Sequence, residues 1–271
     1  MDSRELPEKA ATEATEMAFS SLLQFRAWLA AVLVTAAVFA LQPFYPNLIG
    51  PMSNVLPTAF VGNALFSCLL CLHKYGLSMK KRFDAVWPLF AFGFLMWVIA
   101  EATWAWYYFV LQVDVPFPSF ADIFYLGGYF PIILGAVIYL DAFKVAMSRR
   151  RLTFALAATL AAVALCMAFV LPIEVTSTSG LGSALTDIMY PVLDLVLIGV
   201  SIFGFVIFHG GRLAKWWLLF GGAATLYVIA DELFLYQTSI GTYYNGGIDD
   251  LIFLLGYLTF SLAFFSHRRE L

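Results

Sequence analysis

The sequence predicts an all-α, polytopic membrane protein of eight transmembrane helices, built as two parallel four-helix repeats with both termini cytoplasmic. Three observations carry this: the composition, the spacing of the apolar runs, and a set of motifs that occurs twice. Of the 271 residues, 62% are hydrophobic and 12% charged, against roughly 45–50% and 25% in soluble domains. The mean hydropathy is +0.86. A net charge of −3, with no basic stripe outside the short loops, argues against a nucleic-acid partner and makes the lipid bilayer the first partner of the chain.

The apolar runs are 24–42, 55–73, 86–110, 120–142, 152–172, 184–208, 214–236 and 248–266, each near the roughly 20 residues that cross the hydrocarbon core. Between them, His73 to Arg82 and Lys144 to Arg151 are rich in Lys and Arg, Arg212 and Lys215 mark a third basic loop, and the tail reads SHRREL. The alternate connections, PFYPNLIGPMSN, QVDVPFPSF, PIEVTSTSGLG and QTSIGTYYNGG, are free of Lys and Arg. The positive-inside rule therefore places the basic loops, and both termini, on the cytoplasmic side of a multi-pass protein of the cell membrane. Residues 1–23 are polar and acidic and lack the basic start and early apolar run of a signal peptide. They are expected at the membrane surface ahead of the first span, with the first repeat at 24–142, the second at 152–266 and a short cytoplasmic tail at 267–271.

The repeat shows first in VIAEATW (98–104) and VIADELF (228–234), each of which sets a carboxylate, Glu101 or Asp231, inside an apolar run. The next helices fall into step: SFADIFYLGGY meets GIDDLIFLLGY, aligning Asp122 with Asp250, Gly128 with Gly256 and Tyr129 with Tyr257. Upstream, Asn63 lies opposite Asp194. Four spans per half is an even number, so the halves share one orientation and are related by an axis along the membrane normal.

All these polar residues fall in the outer half of the spans. Glu101 lies about nine residues, roughly 13 Å, from the outer end of its helix. No Lys or Arg shares that half, and an ionised acid at mid-bilayer costs at least about 2.5–3.5 kcal/mol. The acids must therefore be protonated, wetted, bonded to hydroxyls or bound to a cation. Asp122 and Asp250 open their helices, where a carboxylate caps free backbone N–H groups. Glu101, Asp194 and Asp231 lie too deep for capping. Helical spacing puts Asp122 on one face with Tyr125 and Tyr129, and Asp250 with Phe253 and Tyr257. It likewise puts Glu101 with Trp97, Trp104 and Tyr108, and Asp231 with Tyr227 and Phe234. Acids ringed by aromatics suit an organic cation. The competing reading is an interfacial aromatic belt whose tyrosines satisfy the acids.

PSFADIFYLGGY (Pro118 to Tyr129), DIMYPVLD (Asp187 to Asp194, with Tyr190) and ADELF (Ala230 to Phe234, with Asp231 and Glu232) occur in this order. They resemble the eight-helix membrane input regions found N-terminal to GGDEF, EAL or histidine-kinase domains in bacterial and archaeal signalling proteins. The resemblance implies a sensory membrane module. The sequence stops five residues after the last apolar run, so the expectation is a stand-alone relative that passes its state to a separate cytoplasmic signalling partner or acts as a homo-oligomer.

Other functions compete. Repeats with midplane acids suit a cation or proton carrier, although the inner half holds only Asp84 and Asp141, at helix ends. Paired carboxylates, Asp231/Glu232 and Asp249/Asp250, the latter with Asn245, suit acid–base or divalent-ion chemistry, but no intramembrane His or nucleophile motif accompanies them and no catalytic residue is assigned. His73, His209 and His267 are expected as solvated histidines at the basic rim, and no membrane Lys is available for a Schiff base, so neither haem nor retinal is expected. Cys68 and Cys71 form a C-x2-C without a second ligand pair, and with Cys166 they read as small hydrophobes of apolar faces.

Overall fold

Helix boundaries follow the apolar runs but overrun them where the expected loops hold helix-compatible residues. The computed structural model describes residues 5–76, 82–143, 148–174 and 181–270, so the basic stretches 77–81 and 144–147 and the connection 175–180 lie outside the described residues. Among these, the chain forms eight long α-helices and no strand: α1 Glu5–Phe39, α2 Pro46–Tyr75, α3 Val86–Trp106, α4 Phe120–Phe143, α5 Arg149–Glu174, α6 Leu181–Phe208, α7 Ala214–Ser239 and α8 Ile248–Glu270. Seven of them, α1 to α4 and α6 to α8, are long and apolar enough to cross a membrane, with α5 filling the expected span 152–172 as a helix. The chain is therefore a helical membrane protein.

Two boundaries correct the sequence reading. The helix expected over 24–42 already runs from Glu5, because the acidic segment before it is free of Gly and carries its Pro in the first turn, where a missing N–H costs no hydrogen bond. The helix expected from residue 55 begins at Pro46, with Pro51 and Pro57 inside it. Pro46 sits in the first turn, and Ser53 and Asn54 turn their side chains back to the Gly50 carbonyl at 2.9 and 2.8 Å, as short polar side chains do within helices. α2 stops at Gly76, whose φ of 81° ends the helix while its N–H bonds the Leu72 carbonyl at 2.8 Å. α3 ends differently, passing into a π-helical turn, Tyr107–Leu111.

Six helices close a ring. α2 packs on α3, α3 on α4, α4 on α6, α6 on α7, α7 on α8, and α8 back on α2. α1 lies outside against α8, and α5 lies outside against α6 and α7. α3 and α7, opposite each other in the ring, meet across its centre through side chains. Trp97 stacks on Tyr227 at 4.4 Å with planes 2° apart, and Phe90 meets Phe220 at 5.5 Å. Below this level the centre is a column of rings, including Phe94, Phe260, Phe264, Trp87 and Trp216. Cys68 and Cys71 are buried in the same core, with Sγ atoms toward the Trp87 and Phe264 carbonyls at 3.9 and 3.2 Å.

The column ends at His267, and here the sequence reading is corrected again. His267 is no solvated rim residue: it is 0% exposed, ringed by Trp87 at 4.6 Å, Trp216 at 5.0 Å and Tyr75 and Tyr139 each at 5.6 Å. Its ring nitrogens meet the Tyr139 hydroxyl at 2.8 Å and the Tyr75 hydroxyl at 3.4 Å. α8 continues past the expected end at 266, with Ser266 and His267 buried while Arg268 and Arg269 are exposed. His73 and His209 are exposed.

Candidate functional site

Above the Trp97–Tyr227 stack the ring opens into a cavity of about 70 Å³. Its walls bring together residues far apart in sequence: Glu101 and Trp104 from α3, Asp122 and Tyr125 from α4, Tyr190 from α6, Tyr227, Asp231, Phe234 and Leu235 from α7, and Asp250 and Phe253 from α8. Ser53 and Pro57 of α2, Phe117 before α4 and Tyr243 before α8 complete it. No Lys, Arg or His is among them. Four carboxyl groups thus face one aromatic-lined space with no opposite charge on its walls.

Two of the four acids also accept from backbone N–H groups beside the starts of their helices. Asp122 Oδ2 accepts from the Ser119 N–H at 2.5 Å and from its hydroxyl at 2.9 Å, while Ser119 Oγ accepts from the Ala121 N–H at 3.2 Å. This reciprocal box satisfies two open backbone donors at the start of α4, the Ser119 and Ala121 N–H groups. The other oxygen, Oδ1, accepts from the Tyr190 hydroxyl at 2.7 Å, tying α6 to α4. Asp250 Oδ2 accepts from the Gly246 N–H at 2.6 Å. Asp122 therefore both caps its helix and lines the cavity, while Asp250 lines the cavity and ties down the turn before α8.

The two deeper acids are held by tyrosines in a crossed pattern. Tyr257 of α8 donates to Glu101 Oε1 of α3 at 2.7 Å, and its hydroxyl lies 3.5 Å from that of Tyr227. Tyr129 of α4 reaches Asp231 Oδ2 of α7 at 2.6 Å and also Asp194 Oδ1 of α6 at 2.5 Å. A phenol has one hydrogen to give, so one hydroxyl satisfies both carboxyls only when a second proton is shared within the trio. Asp194 is 0% exposed, and its Oδ2 has no hydrogen-bond partner among the described residues. It is linked to the lining residue Asp231 through Tyr129.

A second cavity, of about 250 Å³, lies toward the loop end of the bundle. Trp104, Phe117, Phe234 and Tyr243 line both spaces and form a collar between them. The collar is braced. Trp104 meets Phe234 at 5.7 Å and Phe234 meets Tyr243 at 5.0 Å. Trp104 Nε1 donates to Asn54 Oδ1 at 3.1 Å, Asn54 Nδ2 to Asn245 Oδ1 at 3.0 Å, and Tyr243 OH to the same Asn245 oxygen at 3.4 Å. Tyr243 lies in the connection before α8. Burial, and after it the charges of Asp250 and Asp249, raise its phenol above the usual range, so the hydroxyl remains a donor. The outer chamber adds Tyr108, Asp114, Thr238, Tyr244 and Asn245.

Of the residues singled out in sequence, Glu101, Trp104, Asp122, Tyr125, Tyr190, Tyr227, Asp231 and Asp250 line the inner cavity, and Tyr108 lines the outer one. Tyr129, Tyr257 and Asp194 stand directly behind, bonded to lining acids or to one another. Asn63 stands apart. It is exposed, and its Nδ2 donates to Ser261 Oγ at 3.0 Å, because the helix turn that aligns it with Asp194 points it away from the ring. Asp187 is buried in α6 but is not among the lining residues. Glu232 is not among the lining residues, unlike its neighbour Asp231, and both its oxygens are buried without a partner among the described residues; adjacent helical positions diverge by about 100°. Ser53, Pro57, Phe117, Leu235 and Tyr243 were not legible as site residues. Ser53 and Pro57 fall at the start of a helix read as loop or span edge, and Phe117 and Tyr243 sit in loops.

Among the described residues, no three His, Cys, Asp or Glu side chains gather into a group that could hold a metal ion. The acids are spread around the wall, two of them committed on one oxygen to backbone N–H groups. Such a wall suits a cation with several N–H donors better than a bare ion that needs converging oxygens. Comparison of the chain with models of known families, with curated proteins and with solved structures finds no match.

Proposed function

We propose that this protein is an integral membrane ligand-binding module of a sensory kind, whose outward-facing acid–aromatic cavity takes a small cationic molecule. The observation that carries the reading is the inner cavity itself: Glu101, Asp122, Asp231 and Asp250, from four helices, face one aromatic-lined space whose walls hold no basic residue. The loop charge pattern supports placing that cavity toward the outside of the cell membrane. The column of rings below the Trp97–Tyr227 stack favours binding over passage, since it fills the route to the far end.

The two-repeat reading belongs to this proposal. Its support is the ring order, in which α2, α3, α4 are followed by α6, α7, α8, and the crossed bonds, in which Tyr129–Asp231 and Tyr257–Glu101 are equivalent under the sequence alignment. Trp97 and Tyr227 are themselves aligned positions and stack on each other, as residues beside a twofold axis do. The peripheral α1 and α5 do not follow the pattern. Proton-coupled cation transport is the second reading, favoured by the single phenol between Asp194 and Asp231. A separate cytoplasmic partner or a second copy of the chain would receive the signal.

The test is thermal stability of the purified protein in lipid nanodiscs against a panel of amines and metal ions at several pH values. A ligand present at 100 times its Kd raises stability by about 2.7 kcal/mol. Asp231→Asn removes a charged partner worth roughly 1.5–3 kcal/mol, so cation affinity is expected to fall about 10- to 100-fold, with Glu101→Gln falling less. Binding weakens as pH falls, because protons compete with the cation for the same carboxylates. If wild type and both variants respond alike to every compound and pH, the acids are structural and the proposal fails.

A further inference from the structure

Resting on that reading, we infer that the two cavities form one elongated site for a linear diamine or polyamine, with one ammonium among the inner acids and a second at Asp114. Continuity comes first. Trp104, Phe117, Phe234 and Tyr243 border both chambers, so an occupant of the inner chamber that extends toward the loops passes between their rings. Both chambers are acidic. Glu101, Asp122, Asp231 and Asp250 line the inner one, and Asp114, exposed in the connection between α3 and α4, lines the outer one.

The spacing suits a chain with charges at its ends. From Asp231 in the inner chamber to Thr238 in the outer one is seven residues of α7, roughly 10 Å at 1.5 Å per residue. Between those levels the walls are aromatic, which fits methylenes by apolar contact and adds cation–π attraction for an ammonium in transit. A primary ammonium offers three N–H donors on a compact head, matching acids spread around a wall. A divalent metal ion would need its oxygens at one point, and a lone monoamine would leave Asp114 unused.

The experiment measures calorimetric affinities of the full chain in nanodiscs for propylamine, diaminopropane, diaminooctane and spermine, in the wild type and in Asp114→Asn. Because Asp114 is exposed and on a loop, its pairing with a second ammonium is worth up to about 1 kcal/mol. The expected result is that diaminooctane and spermine bind roughly three- to fivefold tighter than propylamine or diaminopropane, and that Asp114→Asn brings the ratio to about one. Equal affinity for all four amines overturns the inference and leaves the cation reading standing. A long-chain preference that survives Asp114→Asn overturns the placement of the second ammonium. Failure of all four amines to bind overturns this inference, and if the thermal-stability panel of amines and metal ions is silent as well, the proposed function falls with it.

Discussion

The α3/α4 seam and the α7/α8 seam are built from aligned residues, yet they pack to different tightness. In the first, Gly93 faces Gly128 so closely that a Cβ on Gly128 would stand 2.5 Å from the Trp97 ring and 2.9 Å from the Gly93 carbonyl. In the second, Ala223 stands where the first has Gly93, and a Cβ on Gly256 would meet the Ala223 carbonyl and the Tyr227 nitrogen at 3.5 Å, ordinary contact. Small residues let membrane helices approach, but only the first seam uses the full approach. The extra closeness lets Trp97 lie over Gly128 and donate Nε1–H to the Tyr125 carbonyl at 3.1 Å. That contact fixes the ring on which Tyr227 stacks, the floor of the site. The two halves differ again in their acids, since Glu101 has a tyrosine to itself among the acids while Asp231 shares one with Asp194.

The largest effect expected from this comparison comes from Gly128→Ala set against Gly256→Ala. The first overpacks the seam and costs about 1–3 kcal/mol. The second removes a helical glycine without a clash and is neutral or stabilising by up to about 1 kcal/mol. Thermal unfolding in nanodiscs compares them directly, and equal shifts would erase the distinction between the seams. Next comes Tyr129→Phe against Tyr257→Phe. Losing Tyr129 strips a fully buried acid of its donor and costs about 1–3 kcal/mol, whereas Glu101 borders the cavity and can take a water, so Tyr257→Phe costs about 1 kcal/mol. The same unfolding assay reads both, and a larger loss for Tyr257→Phe would reverse the assignment. Smallest is Asn63→Ala, within about 0.5 kcal/mol for an exposed side chain, since Ser261 Oγ keeps its bond to the Tyr257 carbonyl at 3.1 Å. A substantial loss there would put Asn63 back beside the buried acids.

How much of this was legible in the sequence depends on the range of the forces involved. Helices were legible because apolar length is a local property, and α2 to α4 and α6 to α8 cover the expected runs, although α2 starts early, at Pro46. Their ends were less so: Pro51 and Pro57 look like loop signals, but a helix embedded among others tolerates them. Glu101, Asp122, Asp231 and Asp250, which line the candidate cavity, stood out in the sequence because an acid in an apolar run is costly wherever the run goes. Asn63 misled because alignment with Asp194 fixes its depth and not its azimuth. Tyr243 and Phe117 were invisible because loop residues have no period to read, and their place is set by how the loops fold over the ring. His267 was misjudged because basic neighbours suggest solvent, while Trp87, Trp216, Tyr75 and Tyr139, from other helices, supply an aromatic enclosure that no local pattern announces.

The enclosure of His267 also sets the mechanics of α8. This helix carries Asp250 in its first turn and His267 near its last, about 25 Å apart along the axis. From Leu254 onward it is largely buried, and Lys74 Nζ ties its far end by donating to the Arg268 carbonyl at 2.5 Å. The first turn is only partly buried and is held by the Gly246 N–H on Asp250. A stiff rod gripped along one end and lightly held at the other acts as a cantilever. Load applied at Asp250 has the long arm, and the bending moment is greatest where the aromatic grip begins, near Tyr257, which is the residue bonded to Glu101.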